Sequence, residues 1–187
     1  MRLVFIYGPP AVGKTTIGRI VSQTTGFSFF FNHATVPAAR AVFPDHHNPR
    51  FKDAYSQLLK SFRLSGIAAA ARQDVDIIFT LAYSGSVDDA FIKEIVNVVK
   101  DRGGSVYFVQ LHAADEILFS RVHTKEREAL LKITDPTRLA ALLKERDLRA
   151  SVPYDDILHI DTEHVAAEEA AQQIIETFRL PQYRQRE

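Results

Sequence analysis

A glycine-rich stretch near the start of the chain has the residue types and spacing of a phosphate-binding turn. It follows the pattern Gly-x-x-x-x-Gly-Lys-Ser/Thr without a mismatch. The stretch consists of Gly8, Pro9, Pro10, Ala11, Val12, Gly13, Lys14 and Thr15. In such a turn the backbone N–H groups surround an anion, and the helix that follows adds the positive end of its dipole. The motif therefore predicts a site for a polyphosphate.

Three side chains of this stretch have separate predicted roles around a nucleoside triphosphate. The Lys14 ammonium is expected to reach the β- and γ-phosphates, and the Thr15 hydroxyl to ligate Mg²⁺. Thr16 is a candidate for holding the α-phosphate through its hydroxyl. Gly8 and Gly13 allow the backbone to approach the phosphates closely. ATP and Mg²⁺ are therefore the predicted cofactors.

Two polar residues, Asn32 and His33, follow the second apolar run of the chain. Ligands of open α/β sheets bind beyond the carboxyl ends of the strands, so both residues are candidate substrate ligands. A histidine near its ordinary pKa can accept a hydroxyl proton, and Asn32 can position an acceptor or a Mg²⁺-bound water. The alternative for His33 is that it caps the following helix or orders a loop.

A basic run in the second half of the chain has two interpretations. Its members are Arg121, Lys125, Arg127 and Lys132, with glutamates between them. One interpretation is a solvated helix face with i,i+4 ion pairs. The other is a lid whose arginines close over the charge that develops during phosphoryl transfer, with Arg121 and Arg127 as the candidates.

Apolar runs alternate with segments of helical periodicity, which is the pattern of a parallel sheet flanked by helices. The predicted strands cover 3–7, 27–31, 77–82, 106–111 and 157–160. The predicted helices cover 14–25, 35–43, 51–72, 87–102, 114–128, 136–150 and 166–178. The polar tail, 181–187, is expected to fray. The chain thus belongs to the α/β class.

Composition limits the remaining possibilities. The 187 residues fit one domain over 1–187. Lys plus Arg and Asp plus Glu both number 23, so no basic excess indicates binding to nucleic acid or to a membrane surface. The absence of cysteine excludes disulfides, thiolate catalysis and cysteine-bound zinc. No apolar run approaches the ~20 residues of a membrane span, and we expect a cytoplasmic protein.

With this motif and element order, the sequence resembles the small P-loop kinases, the group of shikimate kinase, adenylate kinase and chloramphenicol phosphotransferase. The resemblance covers the whole chain in element order and is specific at the glycine-rich motif. It implies a P-loop NTPase three-layer fold, with a five-stranded parallel sheet in the order 2-3-1-4-5. It also implies an acceptor-binding region at about 33–72 and a helical lid at about 114–150. The expected partners are ATP and a small-molecule acceptor, and the expected assembly is a monomer or a homodimer.

Several positions match the resembled kinases residue by residue. Phe62-Arg63 is similar to the Phe-Arg pair with which shikimate kinase presents an arginine to the carboxylate of its substrate. Arg121 lies where these kinases place an arginine near the adenine and phosphates, and Arg127 lies where the lid supplies a catalytic arginine. The segment 160–162 corresponds to the loop that holds adenine.

Two departures from shikimate kinase fall on the acceptor side. Its Asp-x-Asp after the second strand is replaced by Phe31-Asn32-His33, which contains no carboxylate. Its Gly-Gly-Gly after the third strand is replaced by 80–85, where Tyr83 is a candidate substrate contact. We therefore expect an ATP-dependent kinase of a small molecule other than shikimate. The alternatives are a nucleoside monophosphate kinase and a nucleotide-binding switch or ATPase with little transferase activity.

Overall fold

Five strands form one parallel sheet in the computed structural model, which describes residues 1–183 without the side chain of residue 126. The strands are β1 (Arg2–Tyr7), β2 (Ser28–Phe31), β3 (Ile77–Leu81), β4 (Ser105–His112) and β5 (Ile157–Asp161). They lie in the order β2-β3-β1-β4-β5, and each neighbouring pair is parallel. The predicted fold class and strand order are therefore confirmed.

Helices cover both faces of this sheet, as parallel strands require. They are α1 (Lys14–Thr25), α2 (Val36–Val42), α3 (Pro49–Arg72), α4 (Ser86–Lys100), α5 (Asp115–Arg121), α6 (Lys125–Ala129), α7 (Pro136–Glu145) and α8 (Ala167–Thr177). A 3₁₀ turn over Asn32–Thr35 joins β2 to α2. Helix α3 begins at Pro49 because the Asn48 side chain accepts a hydrogen bond from the Arg50 N–H, at 3.0 Å.

Strand β1 separates two apolar cores because its successive side chains point to opposite faces of the sheet. Val4 and Ile6 belong to the core shared with α1 and α8. Leu3, Phe5 and Tyr7 belong to the core shared with α3 and α4. Burial on both faces explains why the sequence of β1 is a continuous apolar run. The same burial holds the end of β1, where the glycine-rich turn begins, firmly in the sheet.

The segment predicted as one helix over 114–128 divides in two. Helix α5 ends at Arg121, and α6 begins at Lys125. The Thr124 hydroxyl accepts a hydrogen bond from the Arg127 N–H at 3.4 Å, as the capping residue of a new helix does. The break therefore reflects a local capping bond that competes with helix continuation.

The helix predicted over 136–150 ends at Glu145, and Arg146 has extended backbone angles. The side-chain amide of Gln110 in β4 donates to the carbonyls of Arg149 and Ala150, at 2.9 and 3.2 Å. These bonds hold the backbone of 149–150 against the sheet in a non-helical path. A tertiary contact, rather than a local stop signal, therefore shortens this helix.

The described chain ends beside α1. The Tyr183 N–H donates to the Thr24 carbonyl at 2.7 Å, and residues 184–187 of the predicted tail lie outside the described residues. No helix within the described residues is both long and apolar enough to cross a membrane.

Replacing Gly18 by alanine is expected to destabilise the protein, although alanine normally favours a helix over glycine by about 1 kcal/mol. A Cβ atom at this position would lie 2.7 Å from Cε2 of Phe29. Overpacking of this kind costs about 1–3 kcal/mol, so we expect urea unfolding to show a net loss of about 1 kcal/mol. In a Phe29→Leu background the loss should shrink, because the ring is gone. An equal loss in both backgrounds would contradict this packing explanation.

Candidate active site

The glycine-rich turn leaves β1 through a point where only glycine fits. A Cβ atom on Gly8 would lie 2.2 Å from the Leu111 carbonyl oxygen, and the φ angle of Gly8 is 143°. Ala11 and Gly13 also have positive φ angles, of 68° and 101°. These angles curl the backbone ahead of α1, so that the turn lies at the carboxyl edge of the sheet.

The Lys14 ammonium is folded across this turn. It donates hydrogen bonds to the carbonyl oxygens of Gly8 and Pro9, at 2.7 and 2.6 Å. Burial, together with the nearby charges of Lys132 and Arg127, lowers the pKa of Lys14 to about 7. The site thus concentrates positive charge in a poorly hydrated place, and an anion bound there would relieve that charge.

A cavity of about 450 Å³ opens beside the turn and joins it to the end of β2. Its lining includes Pro10, Ala11, Val12, Gly13, Lys14, Thr15, Thr16, Asn32, His33, Arg121 and Arg127. Residues assigned from the glycine-rich motif and residues assigned from the strand ends therefore share one cavity. Among the residues that the structure describes, those lining it include no aspartate or glutamate.

Asn32 and His33 reach the cavity from the 3₁₀ turn that follows β2. The Asn32 N–H donates to the buried Thr80 hydroxyl at 3.3 Å, and the Asn32 carbonyl accepts from the Thr35 hydroxyl at 3.1 Å. These two hydrogen bonds fix the backbone of the turn against β3, and they therefore fix the positions from which the Asn32 and His33 side chains extend.

His33 is held in its neutral form. Burial, together with the positive charges of Lys132, Arg63, Lys14 and Arg127, lowers its pKa to about 3. Within the described residues, its Nδ1 atom is buried without a hydrogen-bond partner. A neutral ring with an unpartnered buried nitrogen is suited to a polar group of a ligand.

Arg63 lies behind Asn32 and does not line the cavity itself. Its Nη2 atom donates to the Asn32 carbonyl at 3.2 Å, and burial lowers its pKa to about 10. Its Nε atom is buried and has no hydrogen-bond partner among the described residues. The guanidinium thus holds the backbone of Asn32, a residue of the predicted acceptor side, without lining the cavity.

Tyr83 lies outside the cavity, which corrects its predicted place in the acceptor site. It is 2% exposed, its ring packs edge-on against Tyr7, and its hydroxyl donates to Asp89 at 2.5 Å. The preceding residue, Ala82, lines the cavity instead. Side chains alternate along an extended backbone, so a cavity residue is followed by one that faces the core.

The two predicted lid arginines are held by backbone carbonyls. Arg121 donates to the hydroxyl and the carbonyl of Thr162, at 3.2 and 2.8 Å, and so joins α5 to the loop after β5. Arg127 donates through Nε and Nη2 to the Ile133 carbonyl, at 3.0 and 2.8 Å. Both side chains border the cavity, and each is already positioned by its own part of the chain.

Lys132 is the cavity residue that the sequence left without a specific role. It belongs to the basic run, but its Nζ atom donates to the Thr15 hydroxyl of the glycine-rich turn at 2.6 Å. The basic run alone could not predict Lys132 as a site residue, because it does not show which of its cations faces the glycine-rich turn. Thr15 is the predicted Mg²⁺ ligand, so this contact bears directly on the site.

The buried neutral His33 should make the protein less stable as the pH falls. Because its pKa is about 3 in the folded protein and near 6.5 when unfolded, the unfolded chain binds the proton more tightly. The free energy of unfolding is therefore not reduced by His33 above pH 6.5, and it decreases as the pH falls from 6.5 towards 3. Between pH 7.5 and pH 5 this histidine should account for about 2 kcal/mol of lost stability.

Urea unfolding at the two pH values tests this expectation. His33→Asn should lose less stability than the parent protein over the interval, whereas the exposed His123→Asn should behave like the parent. The same pH dependence in His33→Asn and the parent would show that His33 is not buried in its neutral form.

Comparison with known proteins places this geometry in a family. The shikimate kinase family model matches residues 10–179. A shikimate kinase from Thermodesulfovibrio yellowstonii is 25% identical over 185 residues, which cover 95% of each protein. The structure resembles a sugar kinase from Janibacter sp., with a TM-score of 0.65 and 18% identity over 96% of this chain and 95% of that one. It also resembles a gluconokinase from Sinorhizobium meliloti, with a TM-score of 0.61 and 17% identity over 94% and 93%. The chain is an ATP-dependent small-molecule kinase, and it belongs to the shikimate kinase family.

Proposed function

We propose that this kinase transfers the γ-phosphoryl group of ATP to a hydroxyl group of a small acceptor other than shikimate. The observation that carries the proposal is the shared cavity, in which Lys14 and Thr15 face Asn32 and His33. The residues described around that cavity provide cations, a neutral imidazole and an amide, but no carboxylate. The acceptor region, about 33–72, and the lid region, about 114–150, are the two parts that would enclose it.

The phosphate side of the site is assigned to the glycine-rich turn. The backbone N–H groups of 11–16, which follow the two prolines, and the Lys14 ammonium would hold the phosphates, with Thr16 near the α-phosphate. Thr15 fits Mg²⁺ because it offers a hydroxyl oxygen at the cavity wall. The described residues that line the cavity include no carboxylate, and Mg²⁺ usually keeps several waters, so its other ligands in this proposal are phosphate oxygens and waters. Bound Mg²⁺ neutralises charge on the phosphates.

The lid arginines have two distinct roles in this proposal. Arg121, fixed on the Thr162 carbonyl, is suited to the nucleotide end of the cavity beside the loop after β5. Arg127 adds positive charge at the cavity wall, where charge develops on the transferred group. Burial lowers its pKa, but a guanidinium stays protonated at neutral pH.

The acceptor side is assigned to Asn32, His33 and Arg63. Asn32 would orient the attacking hydroxyl. Arg63, which does not line the cavity, would hold Asn32 through its carbonyl, and its positive charge would favour an anionic or polar acceptor. The hydroxyl oxygen forms the new bond to phosphorus, the bond to the ADP oxygen breaks, and the hydroxyl proton stays with the phosphorylated product. The predicted role of His33 as proton acceptor assumed an ordinary pKa, and at a pKa of about 3 its neutral ring is better suited to hydrogen-bonding the acceptor. Such proton transfer contributes little when positioning and charge neutralisation dominate. A sugar acid, a shikimate-like alcohol and an antibiotic are the acceptor classes to test first, and a nucleoside monophosphate comes second.

Lys14→Met is expected to raise the dissociation constant for Mg²⁺-ATP at least ~100-fold, because the variant loses hydrogen bonds between an ammonium and phosphate oxygens. Isothermal titration calorimetry measures this constant directly. The exposed Lys100→Met, on α4, is the matched control and should bind like the parent protein. Unchanged affinity in Lys14→Met would contradict the assignment of the turn.

His33→Ala is expected to lower acceptor-stimulated ADP release by about 10- to 100-fold while sparing ATP affinity, because the variant loses a ring that lines the cavity and can position the acceptor by a hydrogen bond. His47→Ala, in the exposed loop before α3, is the control and should retain full turnover. The assay is a coupled ADP measurement over a panel of hydroxylated metabolites that includes shikimate.

The same panel separates the alternatives. Stimulation by shikimate above every other acceptor would refute the proposed change of substrate. Tight ATP binding with slow turnover that no acceptor stimulates would favour the nucleotide-dependent switch, which the missing carboxylate on the acceptor side also allows.

A further inference from the structure

Lys132 lies where the two sides of the cavity meet. Its ammonium donates to the Thr15 hydroxyl at 2.6 Å, and its side chain lines the same cavity as Lys14 and His33. Of the charges that lower the pKa of Lys14, and of those that lower the pKa of His33, Lys132 has the largest effect in both cases. The ammonium is therefore held on the glycine-rich turn, in the same cavity as the residue assigned to the terminal phosphates and the residue assigned to the acceptor.

The turn that carries Lys132 is fixed by Arg127. The Lys132 N–H donates to the Arg127 carbonyl at 2.9 Å, and the Arg127 guanidinium donates to the Ile133 carbonyl on the other side of Lys132. Leu131 takes a positive φ angle of 53° to complete the turn. Arg127 therefore acts as a positioning residue as well as a source of charge, because it holds the backbone on both sides of the lysine.

The Thr15 oxygen is an acceptor for which two cations compete. An ammonium hydrogen-bonded to this oxygen and a divalent ion bound to it would lie within a few ångströms of each other, and their repulsion in a buried site is strong. Binding of Mg²⁺ at Thr15 therefore requires Lys132 to leave. A terminal phosphoryl group between Lys14 and His33 would offer this ammonium a stronger, charged acceptor in the same cavity.

We propose that Lys132 is a further catalytic residue, whose ammonium exchanges between the Thr15 hydroxyl and the terminal phosphoryl group of ATP. The proposal rests on the assignment of Thr15 and Lys14 to Mg²⁺-ATP. On the phosphoryl oxygens, Lys132 supplies the positive charge that an arginine supplies in other phosphotransferases, and it neutralises the negative charge of the transferred group. On Thr15, it ties the lid to the turn. The lid segment thus responds to the third phosphate of the nucleotide.

Lys132→Met tests both positions of the ammonium, because methionine keeps most of the side-chain length and removes the charge. The control is Lys125→Met, an exposed lysine on α6 in the same segment. Amide hydrogen exchange of 123–135 without nucleotide should become about 10-fold faster in Lys132→Met, as expected for the loss of a charged hydrogen bond. Calorimetry with Mg²⁺ should show an affinity for the non-hydrolysable ATP analogue AMP-PNP that falls about 10-fold relative to the affinity for ADP.

Each outcome bears on the proposal. Lys132→Arg keeps a cation and should restore most of the AMP-PNP preference, and Lys125→Met should match the parent protein in both measurements. An unchanged ratio of the two affinities, or an equal loss for both nucleotides, overturns the contact with the terminal phosphoryl group. Unchanged exchange of 123–135 overturns the tether to Thr15. If the parent protein binds neither nucleotide, the proposed function fails first, and the Lys132 proposal fails with it.

Discussion

Crowding of positive charge in one buried cavity is the constraint on which the site depends. Each of these cations donates a hydrogen bond to an uncharged oxygen atom. These oxygens are the carbonyls of Gly8 and Pro9 for Lys14, of Asn32 for Arg63, of Thr162 for Arg121 and of Ile133 for Arg127, together with the Thr15 hydroxyl for Lys132. A neutral oxygen satisfies a buried donor without cancelling its charge. The site therefore keeps its attraction for a polyanion, and burial together with these positive charges keeps His33 neutral.

Much of the fold follows from local signals in the sequence. The uniformly apolar strands and the glycine at position 26 predict elements whose bounds the structure shifts by only a residue or two. The sheet order came from the family resemblance and is confirmed. Prediction was wrong between β4 and β5, where one helix divides at Thr124 and another stops at Glu145. The second error arises from Gln110, which is distant in sequence and holds the backbone of 149–150. Hydrophobic periodicity contains no information about such a bond.

The candidate site divides in the same way. The glycine-rich motif could be predicted because its residues are contiguous, and the place of Asn32 and His33 followed from the rule that parallel strands end at one edge of the sheet. Tyr83 could not be placed, because the direction of one side chain beyond a strand depends on the exact backbone path. Lys132 could not be singled out from its basic neighbours, because the direction of its side chain depends on the turn that Arg127 clamps. A contiguous motif and the edge at which parallel strands end can be predicted from a sequence, whereas side-chain contacts between distant residues cannot.

Helix α7 bears on how the cavity admits its ligands. Leu139, in the middle of that helix, is completely buried in the core shared with α1 and α8, and Val122 and Leu148 on either side of the region are buried as well. Exposing one such leucine costs about 1.5–3 kcal/mol. Any closure of the proposed lid over the cavity would therefore be limited to 123–135, because the buried residues on both sides of that segment hold the rest of the stretch between β4 and β5 against the core.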